Sequence, residues 1–341
     1  MLVSIIIINF NYGKYLNDSI NSCINQTYPN VEVIVVDDGS TDNSRFLIDE
    51  YGDSVKKIYQ ENSGMITASN NGFEKSKGEI IIFLDADDYL YKDSVAKIVK
   101  EWEDGISSLF YRVRQINSKG EEIGFIPPLN SKISNGDVRS EILETGTCNT
   151  PPTSGNAFSR DALNQIFPIK DAVINDSGTY YDVIPTDSYL KLRTPFFGPV
   201  VSIEEPLAAK RIHGSNNKGK SPYVNDLKRH RHLKLARLNA DFIKEQLNGK
   251  EEWDEDILFH KNKLVRIRMI SLRFDGDIHP WPNDTRLGLI KIFFKTRTKS
   301  DWWLFHKQLY YLTILFLIAY LPKNFTIKIL KINAIKSGRK I

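Results

Sequence analysis

The chain has 341 residues, enough for one large α/β domain plus a smaller module and for a sizeable buried core. Hydrophobic residues make up 41% and charged residues 26%, an ordinary globular balance that excludes a disordered, collagenous or polytopic membrane chain. The net charge of +4 conceals an asymmetry, because residues 286–341 hold twelve Lys or Arg against the single acid Asp301, making that segment +11 and residues 1–285 −7.

Residues 3–8, 31–36 and 79–84 are short, β-branched and nearly continuous apolar runs, the pattern of strands buried on both faces. The first begins without a basic leader or a small-residue cleavage site, so no secretory signal is expected. Across residues 15–25, Leu16, Ile20, Cys23 and Ile24 recur at helical spacing and Pro29 follows as a stop, which predicts a βαβ unit. Cys23 and Cys148 belong to no CxxC or cluster, so neither a disulfide framework nor a zinc site is indicated, and a reducing compartment fits. Residues 42–50 and 65–77 predict further helices, the second closed by Gly78. Strand and helix alternate through residue 115, implying a mostly parallel sheet flanked by helices.

Residues 117–157 are rich in Gly, Pro, Ser and Asn and are expected to form loops over the open edge of the sheet. Helical stripes at Val224, Leu227, Leu235, Leu238 and Phe242, and at Ile257, Leu264, Ile267 and Ile270, predict two helices over residues 223–247 and 253–274. The expected organisation is an α/β domain over 1–220, a helical extension over 221–285 and a basic module over 286–341.

In doubly wound sheets ligands bind at the carboxyl ends of the strands. Here those positions are strongly polar: Asn9, Phe10, Asn11 and Tyr12 follow the first run, Asp37, Asp38, Gly39 and Ser40 the second, and Asp85, Ala86, Asp87 and Asp88 the third. Five carboxylates in one crevice repel one another unless a cation or hydrogen-bond donors neutralise them, and oxygen ligands at this density suit Mg²⁺ or Mn²⁺. No GxGxxG follows the first run and no GxxxxGK[ST] occurs, so dinucleotide oxidoreductases and P-loop NTPases lack their phosphate-binding glycines here. A cation held by Asp87 would bridge a diphosphate instead. Asp38 and Asp88 could equally serve as helix caps.

Taken together these segments resemble the family 2 inverting glycosyltransferases of GT-A fold, over about residues 2–217. Residues 3–11 and 33–42 look like the nucleotide-binding opening of that family. Asn62, Gly64, Ala68, Asn70, Gly72 and Gly78 match its middle segment, and residues 83–88 its DxD region. The resemblance implies that Phe10 stacks on the nucleobase, that Asp38 accepts from a uracil imide, that Asp85 binds the ribose and that Asp87 binds the metal. Asn11 and Ala86 join the donor-binding set. Residues 154–158 resemble the acceptor-side loop, Thr186-Asp187 the base motif and residues 211–216 the late His segment, which implies Asp187 as catalytic base and His213 as a metal or phosphate ligand. Asp182 and Asp176 stand next in line as base. Two positions depart from the pattern: Ser69 where many members have Arg, and Thr186 where Glu is usual. Inverting transfer is one displacement and needs one base, which Asp187 supplies. By the residues alone Asp187 could be an N-cap and His213 a structural histidine.

Residues 309–321 are thirteen uncharged residues ended by Pro322, too short to span a bilayer alone. Residues 290–299, Trp302, Trp303 and residues 325–335, with Lys328 and Lys331, flank this run and describe an interfacial, monotopic attachment to an anionic membrane surface. Aliphatic runs of this kind disfavour nucleic acid, and a core helix or a homo-oligomer interface is the competing reading. The expected protein is a metal-dependent transferase of the cytoplasmic membrane face, moving sugar from a UDP-sugar to a glycan or lipid-linked acceptor. A catalytically silent GT-A scaffold that binds nucleotide is the alternative.

Overall fold

The computed structural model describes residues 1–170, 186–213, 226–249, 252–259, 262–275, 279–295 and 305–336. In chain order the elements are β1 (Val3–Asn9), α1 (Gly13–Ile24), β2 (Val31–Asp38), α2 (Ser44–Glu50), β3 (Lys56–Gln60), α3 (Gly64–Lys75), β4 (Ile80–Asp85), β5 (Tyr89–Leu90), α4 (Ser94–Lys100) and β6 (Ser108–Asn117). Then follow β7 (Glu122–Ile126), α5 (Val138–Thr145), β8 (Asn156–Ser159), α6 (Arg160–Asn164), α7 (Thr186–Leu190), β9 (Val200–Ile212), α8 (Asp226–Leu247), α9 (Asn262–Phe274), α10 (Arg286–Lys295), α11 (Phe305–Tyr320) and α12 (Lys323–Lys336). They fall into two compact units, residues 1–140 with 148–213, and residues 141–147 with 214–341.

The first unit is built on a nine-stranded sheet of order β3-β2-β1-β4-β8-β6-β9-β5, with β7 on β6. The four strands β3, β2, β1 and β4 are parallel, as the alternating pattern predicts. Beyond β4 the sheet is mixed: β8 runs antiparallel to β4 and β6, β5 antiparallel to β9, and β6 parallel to β9. The mostly parallel expectation therefore holds for one half only. Residues 117–157 are also more ordered than expected, containing β7, α5 and the start of β8. Their signals are weak for a physical reason, since β7 is a half-exposed edge strand and β8 is only four residues long.

Alternation along β1 explains the layers. Ile5 and Ile7 are fully buried in one core cluster with Leu16, Ile20 and Cys23, the i, i+4, i+7 stripe of α1. Ile6 points to the opposite side, where a Cβ on Gly72 would meet its Cγ2 at 2.5 Å, so a glycine is what lets α3 lie against β1. The pairing register then sets the site, placing Asn9 beside Asp37, Asp38 beside Gln60 and Ile8 beside Asp85 along one sheet edge. Strand order reverses between β1 and β4, the position where such sheets open a crevice.

In the second unit α9 packs against α8, α10 and α11. Met269 and Ile270 of α9 are buried, as are Ile314, Leu315, Ile318 and Ala319 of α11. The 309–321 run thus serves in part as a core helix. Its other face leaves Leu309, Tyr310, Phe316 and Tyr320 exposed, and Leu287, Phe294 and Phe325 are exposed on α10 and α12. Among the described residues no helix is long and apolar enough to cross a membrane. Trp302 and Trp303 lie outside the described residues.

Candidate active site

The loop after β1 and the loop after β2 are laced together by short polar side chains. Asn9 Nδ2 donates to Asp37 Oδ1 at 2.8 Å and to Ser40 Oγ at 3.0 Å. Asn11 adopts a left-handed backbone (φ 61°), which Asn tolerates better than most residues, and its Oδ1 accepts from the backbone N–H groups of Thr41 at 2.8 Å and Asp42 at 3.2 Å. Asp42 in turn accepts from Gly13 N at 2.9 Å, satisfying one of the open donors at the start of α1. Phe10 is half-buried between these turns.

Asp38 is buried, and both its oxygens have protein donors. Oδ1 accepts from Gln60 Nε2 at 2.7 Å and Ser63 N at 2.8 Å, and Oδ2 from Gly64 N at 2.9 Å. It therefore closes the N-terminal end of α3, not of the helix that follows it in sequence. Burial pushes its carboxyl up, and a single acceptor position on Oδ2 stays open to a further donor.

At the end of β4, carboxylate oxygens of Asp85, Asp87 and Asp88 lie within 4.8 Å of one another. Asp88 is held entirely by protein: Ser154 Oγ donates to it at 2.6 Å, Arg211 N at 2.9 Å and Lys210 Nζ at 3.3 Å. That is a tether between β4 and β9, not a helix cap. Lys210 also reaches Asp85 Oδ2 at 3.0 Å. Asp87 Oδ2 faces His213 Nε2 at 3.0 Å, with Tyr15 and Tyr12 against the imidazole. Ala86 is buried between the carboxylates in sequence. Burial first, and the charge of Asp85 second, hold the Asp87 carboxyl above the ordinary range; burial does the same to Asp88 against the opposing pull of Lys210. Lys210 is raised well above its usual value by the three acids, which outweigh its own burial. Burial and then the Arg211 charge keep His213 below its usual value.

This donor set fits a divalent cation. The carboxylate oxygens of Asp85, Asp87 and Asp88 lie close enough together for one ion, and His213 adjoins them through its contact with Asp87. Asp85, a quarter exposed, is the third acid facing the same space. Lys210 and Gln60 were not singled out in the sequence. The adjacent cations Lys210 and Arg211 in the otherwise apolar stretch 207–212 are the signal for the first, since such charges need buried counter-charges; Gln60 had none.

Asp187 is the second residue of the short helix α7, half-buried, with Lys191 Nζ at 3.9 Å and Ser188 Oγ at 3.4 Å. The preceding Thr186 is buried against Ser69 of α3. Asp176, Asp182 and residues 214–216 lie outside the described residues.

Residues 4–167 match the sequence profile described as Glycosyl transferase family 2. An uncharacterized glycosyltransferase of Nostoc sp. is 36% identical over 223 residues, covering 64% of this chain and 66% of that relative. The putative teichuronic acid biosynthesis glycosyltransferase TuaG of Bacillus subtilis is 37% identical over 100 residues, 28% of this chain and 40% of TuaG. The match to each of these relatives thus spans less than two thirds of its length. Among solved structures, S. aureus TarS 1-349 in complex with UDP-GlcNAc superposes with a TM-score of 0.56 at 16% identity, covering 99% of this chain and 93% of TarS 1-349, a likeness of fold.

Proposed function

The chain is a member of glycosyl transferase family 2 through residues 4–167, and from that premise we propose that it moves a sugar from a UDP-sugar to a hydroxyl of a glycan acceptor, with inversion. The observation that carries this reading is the cluster of carboxylates after β4, with Asp85 and Asp88 sharing Lys210 and Asp87 facing His213. The UDP-linked donor follows the ligand of the TarS structure, and cell-surface polysaccharide as the product class follows the name of TuaG.

In this reading Phe10 stacks on the base, the open position on Asp38 accepts its imide N–H, and Asn11 keeps the 40–42 turn in shape beneath it. Asp85 and Ala86 border the ribose. A divalent cation, Mn²⁺ or Mg²⁺, held by Asp87 and His213 neutralises the diphosphate when bound. Asp187 takes the proton of the acceptor hydroxyl as that oxygen attacks the anomeric carbon, and the bond to the diphosphate breaks with its electron pair leaving on UDP. One displacement exchanges the two bonds, so the configuration inverts.

The exposed stripe Leu309, Phe316 and Tyr320 of α11, with the Arg286 guanidinium 5.9 Å from the Tyr320 ring, would rest on the anionic cytoplasmic face of the membrane, beside a lipid-linked acceptor. The +11 charge of residues 286–341 opposes a second copy at the same stripe. The test is release of UDP by the full chain from a panel of UDP-sugars with Mn²⁺, with and without EDTA. Turnover that EDTA abolishes is expected. UDP binding with no turnover of any donor would make the chain the nucleotide-binding scaffold instead.

A further inference from the structure

Two adjacent side chains of α3 grip residues on either side of 170–185. Asn70 spends both halves of its amide on one residue: Nδ2 donates to Ile169 O at 3.0 Å and Oδ1 accepts from Ile169 N at 2.9 Å. Ser69 Oγ lies 2.7 Å from Thr186 Oγ1, and both residues are buried. Either hydroxyl can donate in that bond, and Ser69 Oγ also lies 2.8 Å from Met65 O, which can only accept. A buried bond of this kind is directional and costly to leave half-made. The same helix is pinned at its other end by Asp38, through Ser63 N and Gly64 N.

We propose that the Ser69–Thr186 hydroxyl pair is a positioning device for Asp187: α3, anchored on Asp38 at the nucleotide side, fixes the first residue of α7 and so aims the carboxylate that follows it. The proposal rests on the reading of Asp187 as base. Ser69 and Thr186 are the two positions at which the sequence departs from the family pattern, and the structure shows them as partners of each other.

The test compares Ser69→Ala, Thr186→Val, Thr186→Ser and the Ser69→Ala/Thr186→Val double variant with Asp187→Asn, in the full chain. The donor is the one turned over in the UDP-sugar panel, and rates are taken per UDP-binding site so that unfolded protein drops out. Ser69→Ala and Thr186→Val should each lower kcat by about 10 to 10²-fold, the scale of an ångström-sized misplacement, while UDP affinity changes less than about twofold. Thr186→Ser keeps the hydroxyl and should keep most of the rate. The double variant should be no worse than the poorer single one, because the bond can be lost only once. If Asp187→Asn loses its rate while both hydroxyl deletions turn over as wild type, the positioning role is wrong and the base reading stands. If Asp187→Asn itself keeps its rate, or if no donor is turned over by the wild type, the base reading falls and this one with it. Should Thr186→Val fail to fold, Ser69→Ala decides alone, since it removes one oxygen at a helical position that favours alanine.

Discussion

Buried charge occurs in both units of this protein, and the two instances are arranged in opposite ways. In the helical unit Asp275 and Asp284, both with buried side chains, are each gripped by an arginine. Arg229 meets Asp275 through two parallel bonds of 2.7 and 2.5 Å, and Arg268 meets Asp284 through bonds of 2.5 and 2.6 Å. Against burial, which raises them, hydrogen bonds from His230 and Arg229 hold Asp275 well below the carboxylate range, and those from His279 and Arg268 hold Asp284 below it. In the sheet unit Lys210 pairs with both Asp85 and Asp88, Asp87 stands beside them facing His213, and Asp87 and Asp88 are pushed up. Balanced charge is scaffolding, complete without a ligand. Unbalanced charge is a strained arrangement that a bound cation relieves, and that strain marks a site.

The contrast can be broken at either end. The largest effect is expected at Asp87: Asp87→Ala should lower donor turnover by about 10³-fold or more, as EDTA should, because several kcal/mol of charge neutralisation are lost. Its melting temperature in metal-free buffer should hold or rise, since one of the repelling charges is gone; a large fall would place Asp87 with the scaffold. Asp187→Asn, measured in the same assay, should cost about 10² to 10⁴ in kcat with UDP affinity retained. Arg229→Ala should do the reverse of Asp87→Ala, leaving donor chemistry per folded molecule intact and removing about 3–5 kcal/mol of stability in a denaturant titration, because it strands a buried acid.

A pH titration sharpens the same point more gently. Asp275 and Asp284 are depressed on folding, so their contribution is complete above the unfolded carboxylate value of about 4 and is lost as pH falls through their folded values. Helical circular dichroism should therefore weaken as pH is lowered below about 4, and Arg229→Ala should flatten that dependence. The smallest effect concerns the exposed stripe of α11. Phe316→Ser and Tyr320→Ser should each reduce flotation with anionic vesicles by about tenfold, from the apolar area no longer buried, and high salt should reduce it further. Unchanged flotation together with a dissociated dimer would reassign the stripe to self-association.

The sequence by itself determined the parts whose signal is local. Runs of β-branched residues wrote β1, β2 and β4, apolar stripes wrote α1, α8 and α9, and acids placed directly after those strands gave Asp38, Asp85 and Asp87 as candidates. Half-exposed β7 and four-residue β8 were not legible, because edge strands and very short strands carry little periodicity. Nor was the sharing of the 309–321 run between a buried and an exposed face, which depends on what α9 presents to it. What only the tertiary structure decided was pairing. Lys210 neutralises acids 125 and 122 residues away, Ser69 pairs with Thr186 117 residues away, and Asp38 caps a helix that begins 26 residues later. A residue type states what charge or hydrogen bond a side chain can offer; only the register of strands and the packing of helices states which partner receives it, because contacts between distant segments leave no periodic trace along the chain.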